Sequence, residues 1–194
     1  MNLAKFDQEL CNGKIQYLAG VDEAGRGPLA GPVVAAAIIF PIGFKLESIK
    51  DSKKISENKR SLIYPEILKN ALSVGVGIIH EEEIDRINIL QGTYNAMKIA
   101  LGKLQIHPEK VIVDGNRGNI KHYDSNYIVN GDNKSQSIAA ASIIAKVTRD
   151  RIMLEYDKVF PEYGFAKHKG YGTKLHLDAI IQNKATAIHR KSFN

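Results

Sequence analysis

A single cysteine, Cys11, stands in the 194 residues, so no internal disulfide can form, which fits a reducing compartment. No histidine or second cysteine sits beside it, and Cys11 reads as an inert thiol near the N-terminus. The opening residues, Met1-Asn2-Leu3-Ala4-Lys5-Phe6-Asp7, lack the apolar core of a secretory signal. The longest apolar run, Val33 to Phe40, falls far short of the roughly 20 residues that cross a bilayer. A cytosolic protein with no membrane partner is therefore expected. Repeats, low-complexity stretches and Ser/Gly/Pro linkers are missing too. One domain over residues 1–194 is expected, with about 160–194 as a C-terminal helical extension of it.

Several catalytic signatures are also missing. No His or Cys pair has zinc spacing. There is no G-x-S-x-G elbow and no P-loop. The glycines between Gly25 and Gly31 do not open a helix as a dinucleotide fingerprint does, because Pro28 and Pro32 interrupt them.

What is present is an ordinary globular composition, 44% hydrophobic and 25% charged, with a net charge of +6. The charge favours a polyanionic partner without naming one. Residues 16–22, 32–40 and 71–80 read as three strands, close enough in sequence to form an antiparallel meander. Ser56 is a good N-cap for a helix to about Asn70, which Pro65 should kink or split. Residues 81–104 read as helix in two pieces, 110–115 as a short buried strand, and 127–129 as another. A long helix is expected from Ser135 to Phe160, and a last one from its cap at Thr173 to about Gln182. The tail from Ile188 to Phe193 is basic. Strands that alternate with helices after a meander imply an α/β fold, a mixed sheet covered by helices.

Four acids stand out: Asp22, Glu23, Asp114 and Asp132. Asp22 and Asp114 close apolar strands, where a carboxylate would lose hydration for nothing unless it has a task. If their strands are parallel neighbours, the two carboxylates converge at one edge. Mg²⁺ and Mn²⁺ take hard oxygen ligands, so acids from separate segments suit one or two such ions. Consecutive strand residues point to opposite faces, so Asp22 and Glu23 share a site only if the strand ends there, as the following glycines suggest. Asp132, in Gly131-Asp132-Asn133, also reads as a turn residue.

The Gly25-Arg26-Gly27 loop lets a backbone approach a ligand closely, since glycine has no Cβ. Lys53, within Asp51-Ser52-Lys53-Lys54, and Lys134 are candidate phosphate contacts, as such loop lysines are wherever they are not simply solvated. Tyr171, flanked by Gly170 and Gly172 among basic residues, could stack on a base or sugar, or be a partly buried tyrosine beside a helix start.

Taken together, these segments resemble the ribonuclease HII family. The residues that carry the resemblance are Asp22 to Pro28, Asp51-Ser52-Lys53-Lys54, Val113-Asp114-Gly115, Gly131-Asp132, Ser137 to Asp150, and Gly170-Tyr171-Gly172-Thr173. They occur in the family's order over nearly the whole chain. The resemblance implies a ribonuclease H-like fold, a five-stranded mixed sheet flanked by helices with a small C-terminal helical part. It implies Mn²⁺- or Mg²⁺-dependent hydrolysis of the RNA strand of RNA–DNA hybrids, and cleavage 5′ of single ribonucleotides in duplex DNA, leaving 3′-hydroxyl and 5′-phosphate ends. A monomer is expected.

Carried over by position, Asp22, Glu23, Asp114 and Asp132 would be the catalytic acids, the first three of them the principal metal ligands. Gly25, Arg26 and Gly27 would read the ribose 2′-hydroxyl, and Tyr171 would stack on the next sugar. The Gly-Arg-Gly loop and the short run before the first strand favour this family over its sister, ribonuclease HIII. Asn130 replaces a lysine common at that position. The alternatives are a non-catalytic nucleic-acid-binding module and, last, a metal-dependent phosphotransferase.

Overall fold

A computed structural model describes residues 3–49, 56–116, 118 and 120–193. Its elements are α1 (Leu3–Cys11), β1 (Leu18–Ala24), β2 (Val33–Ile39), α2 (Glu57–Asn70), β3 (Ser73–Ile79), α3 (Glu81–Ile87), α4 (Ile89–Gly102), β4 (Lys110–Asp114), β5 (Ser125–Ile128), α5 (Gln136–Val159), α6 (Phe165–His168) and α7 (Lys174–Asn183). The strands form one five-stranded sheet in the order β3-β2-β1-β4-β5. β3, β2 and β1 pair antiparallel, as the meander predicts, whereas β1–β4 and β4–β5 are parallel. No helix among the described residues is long and apolar enough to cross a membrane.

The sheet is covered on both faces, and β2 records this residue by residue. Val34, Ala36 and Ile38 join the core beneath α5, with Ile143 and Ile144. Val33, Ala35, Ala37 and Ile39 join the core beneath α4, with Met97 and Ala100. A strand buried on both sides is apolar throughout, which is why this segment shows no alternation. Each fully buried isoleucine contributes roughly 1.5–3 kcal/mol. On β1, a Cβ at Gly20 would lie 2.2 Å from the Ser137 backbone, so only glycine lets the start of α5 cross the strand here.

Two expectations change. The strand read as ending at Asp22 continues to Ala24, because Glu23 and Ala24 still pair with Ala35 and Val34 of β2. Pro65 does not split α2, which runs unbroken from Glu57 to Asn70. Ile63 and Ile67, buried on either side of the proline, hold the helix to the core under α5 despite the lost N–H. The segment before the first strand also contains a helix, α1, that was not anticipated. Asp7 docks it by accepting from the N–H and hydroxyl of Ser137 at the start of α5. Cys11 is buried in a small cluster with Leu18, Ile112 and Ile138, consistent with an inert thiol.

Candidate active site

The parallel pairing of β1 and β4 decides where the acids meet. Val21 is in register with Val113, the last pair of the parallel ladder, so the next residues, Asp22 and Asp114, stand side by side where β1 and β4 part. Because β1 continues past Asp22, Asp22 and Glu23 project to opposite faces. Asp22, buried, lies on the α5 side and hydrogen-bonds with Ser142. Glu23 lines a cleft on the α4 side with Tyr94, Met97, Asp114 and Tyr127. The strand end is thus not what unites the acids. They communicate by charge across the sheet's edge.

The electrostatics make this explicit. Burial, and then the charges of Glu23 and Asp114, push the Asp22 carboxyl well above its usual range. Burial also raises Glu23; Arg26, whose Nη1 lies 3.2 Å from Oε1, opposes that rise, and Asp114 adds to it. Asp114 Oδ1 accepts the Gly131 N–H at 2.6 Å, tying β4 to the turn that carries Asp132. Asp132 lies in a 3₁₀ turn, as its glycine neighbour suggests, yet it is buried and accepts from the Asn133 side-chain amide.

Among the described residues no three His, Cys, Asp or Glu side chains converge into a ready-made metal cage. The donor chemistry nevertheless suits a hard cation. The donors are oxygens only, they share one sheet edge, and their mutual repulsion in a partly buried place is what a divalent ion would relieve.

Beyond Ala24 the chain turns sharply. Gly25 has φ +96, and a Cβ there would lie 2.2 Å from Arg149 Nε and 2.6 Å from the Pro32 carbonyl oxygen. Arg26 and Gly27 are exposed. Across from them stands Tyr171, 45% exposed, its ring edge 3.8 Å from where a Gly27 Cβ would sit. Loop and ring bound a second open cleft, which Ser142, Arg60 and Lys146 also line. Glu23 and Arg26 border both clefts, so the acids and the loop adjoin one continuous groove.

A family profile described as ribonuclease HII matches residues 19–194. The chain belongs to the ribonuclease HII family. A ribonuclease HII of Clostridioides difficile is 53% identical to it, over 97% of this chain and 74% of that protein. The ribonuclease H2 of Pyrococcus horikoshii OT3 superposes with a TM-score of 0.74 at 27% identity, covering 92% of this chain and 94% of that one. A ribonuclease HIII, Bst-RNase HIII in complex with Mn²⁺, shares the fold at TM-score 0.63 and 18% identity, over 87% of this chain and 63% of that one. The protein is a ribonuclease H, a hydrolase, on the ribonuclease H-like fold expected from its sequence; the binding-only alternative finds no support.

The remaining expected contacts of this ribonuclease HII chain divide. Lys53 lies outside the described residues. Lys134 is half-buried at the end of the Asp132 turn and lines neither cleft. Arg60 and Lys146, which do line the groove, were not singled out from the sequence. On α5, Lys146 pairs with Asp150 at 2.6 Å. Arg149 and Arg190 were also missed. Both are buried and spend their donors on backbone carbonyls around the loop.

Proposed function

We propose that this ribonuclease hydrolyses the RNA strand of RNA–DNA hybrids and cuts 5′ of single ribonucleotides in duplex DNA. The observation that carries the reading is the adjacency of Asp22 and Asp114, on neighbouring parallel strands, to a glycine loop that faces Tyr171 across an open groove. Asp22, Glu23 and Asp114 would hold Mn²⁺ or Mg²⁺, with Asp132 close behind through Gly131. When bound, such an ion supplies charge neutralisation at the phosphate and a nucleophilic water. Water attacks phosphorus, the 3′-oxygen leaves as a hydroxyl, and the phosphate stays on the ribonucleotide's 5′ side.

The chain's own groups do the sorting. Backbone at Gly25, Arg26 and Gly27 would contact the ribose 2′-hydroxyl, the group that separates RNA from DNA. Tyr171 offers an exposed ring for the neighbouring sugar. Arg60 and Lys146 place positive charge along the groove, suited to phosphate oxygens. Arg26 holds Glu23 and so links loop to acids. Acids alone repel a polyanion, which favours metal-assisted catalysis over passive binding.

The test compares three duplexes: one with an embedded ribonucleotide, an all-DNA control and an RNA–DNA hybrid. Each is incubated with Mn²⁺, with Mg²⁺ and with EDTA. Metal-dependent cleavage of the first and third, and of neither in EDTA, is expected. Cleavage of the all-DNA control, or turnover in EDTA, would overturn the reading.

A further inference from the structure

Two buried guanidinium groups, Arg149 and Arg190, take no part in the chemistry above. Arg149, on α5, donates to the carbonyls of Pro32, Lys169 and Ala30. Arg190, in the C-terminal segment, donates through Nη2 to Gly25 O at 2.6 Å, through Nη1 to Arg26 O at 3.1 Å, and through Nε and Nη2 to Gly31 O at 2.9 and 2.6 Å. Burial, and then the charge of Arg149, pulls Arg190 down to about 10, so it remains protonated at neutral pH. Burying a cation is costly, and here its donors are spent on fixing the directions of carbonyl groups.

Those directions have a consequence for the other side of the loop. In a trans peptide the C=O and the following N–H point opposite ways across one plane, and no peptide bond among the described residues is cis. Holding Gly25 O and Arg26 O inward on Arg190 therefore turns the N–H groups of Arg26 and Gly27 outward. Among the described residues neither N–H bonds to a backbone carbonyl, and both residues are exposed on the groove. The clamp itself is anchored. Arg190 N–H bonds to Leu29 O, Gly31 N–H bonds to Ile188 O, and Asp85 accepts from the N–H groups of Lys191 and Ser192. The basic tail is thus a brace beneath the loop.

We propose that Arg190 is a specificity-positioning residue: it aims the Arg26 and Gly27 N–H groups at the ribose 2′-oxygen of the substrate. A deoxyribose has no oxygen there, so two aimed donors would go unanswered. The inference rests on the reading of the loop given above. It adds which residue makes the loop a reader and why the C-terminal segment matters to substrate choice. Lysine keeps the charge at this position but lacks the planar fork, so it cannot hold three carbonyls at fixed angles.

Binding in EDTA is measured for the parent and R190K, with a duplex carrying one ribonucleotide and its all-DNA counterpart; circular dichroism checks the fold. The parent is expected to prefer the ribonucleotide. R190K is expected to keep its all-DNA affinity and lose about tenfold in preference, the scale of one or two neutral hydrogen bonds. A folded R190K with the parental preference overturns the role of Arg190. A parent with no preference instead overturns the loop reading on which it rests. Amide exchange in the parent gives a second measurement that does not depend on how R190K folds. The Arg26 and Gly27 amides should slow on the ribonucleotide duplex and not on DNA; equal protection on both overturns the proposal.

Discussion

The Nε2 atoms of His176 and His189 lie 3.0 Å apart, and neither residue is exposed. Their other contacts set the proton positions. His176 Nδ1 lies 3.0 Å from the Tyr171 carbonyl, so it must donate, which leaves its Nε2 to accept from His189. His189 Nδ1 then accepts from the Thr186 N–H at 2.9 Å. The chain Thr186 to His189 to His176 to Tyr171 closes only with both rings neutral.

Stability should therefore fall in mild acid. Burial, opposed in part by the Tyr171 carbonyl, takes His176 down to about 4, and burial lowers His189 as well. An unfolded histidine takes up its proton near pH 6.5, whereas folded His176 resists until about pH 4. Between those values the unfolded state binds more protons, so stability is lost as pH falls through the window. For His176 alone the loss from about pH 8 to about pH 5 is on the order of 2 kcal/mol. Urea unfolding at the two pH values measures it. His176→Gln should flatten the dependence, and an unchanged slope in that variant would refute the assignment.

Substitutions at the two loop glycines should part company. Gly25→Ala puts a Cβ within 2.2 Å of Arg149 Nε at a φ of +96. It is expected to cost about 2 kcal/mol or more in stability and most of the activity. At Gly27 the nearest atom to a new Cβ is the Tyr171 ring at 3.8 Å, an ordinary contact. Gly27→Ala should fold with an unchanged melting temperature but raise KM, since the methyl stands in the gap between loop and ring. Equal stability losses in the two variants would contradict this geometry.

The acids should set stability against function. Burial and like charges raise Asp22 and Glu23, so their ionised forms oppose folding above the ordinary carboxylate range. Asp22→Asn in EDTA is expected to raise the unfolding free energy by about 1 kcal/mol or more while abolishing cleavage. Adding Mn²⁺ should stabilise the parent more than this variant, by the linkage of binding to folding. Calorimetric scans with Mn²⁺ and with EDTA decide it. A destabilised Asp22→Asn in EDTA would mean that the charge is compensated by something other than a metal.

These predictions rest on features of unequal legibility. The acids could be read from the sequence because an apolar run closing on a carboxylate is a local pattern, and Asp22 and Asp114 both show it. Their meeting needed the parallel register of β1 and β4, which the order of elements implied. The sharing of a strand end by Asp22 and Glu23 was misjudged, because β2 keeps pairing through Ala24 and nothing local marks where a neighbour lets go. His189 and Arg190 were hidden altogether. In a tail of mixed basic residues a buried guanidinium and a solvated one look alike, and only residues 25–31 and 171–176, distant in sequence, tell them apart. Arg60 and Lys146 were obscure for the same reason: their helices decide which cations face the groove.

Pro65 offers a last test, on the fold alone. It sits exposed within α2, where it withholds an N–H from the Ser61 carbonyl and crowds that oxygen. Alanine restores the bond and relieves the crowding, worth about 3 kcal/mol in an isolated helix interior. The proline's restriction of the unfolded chain returns about 0.4–1 kcal/mol of that. Pro65→Ala is therefore expected to stabilise the protein by about 2 kcal/mol in denaturant unfolding. Arg60, which lines the groove, lies more than a turn before the proline, so KM should stay at the parental value. A loss of stability would show that the packing of Ile63 and Ile67 depends on the helix being bent at this point, and that the proline is part of how α2 fits α5.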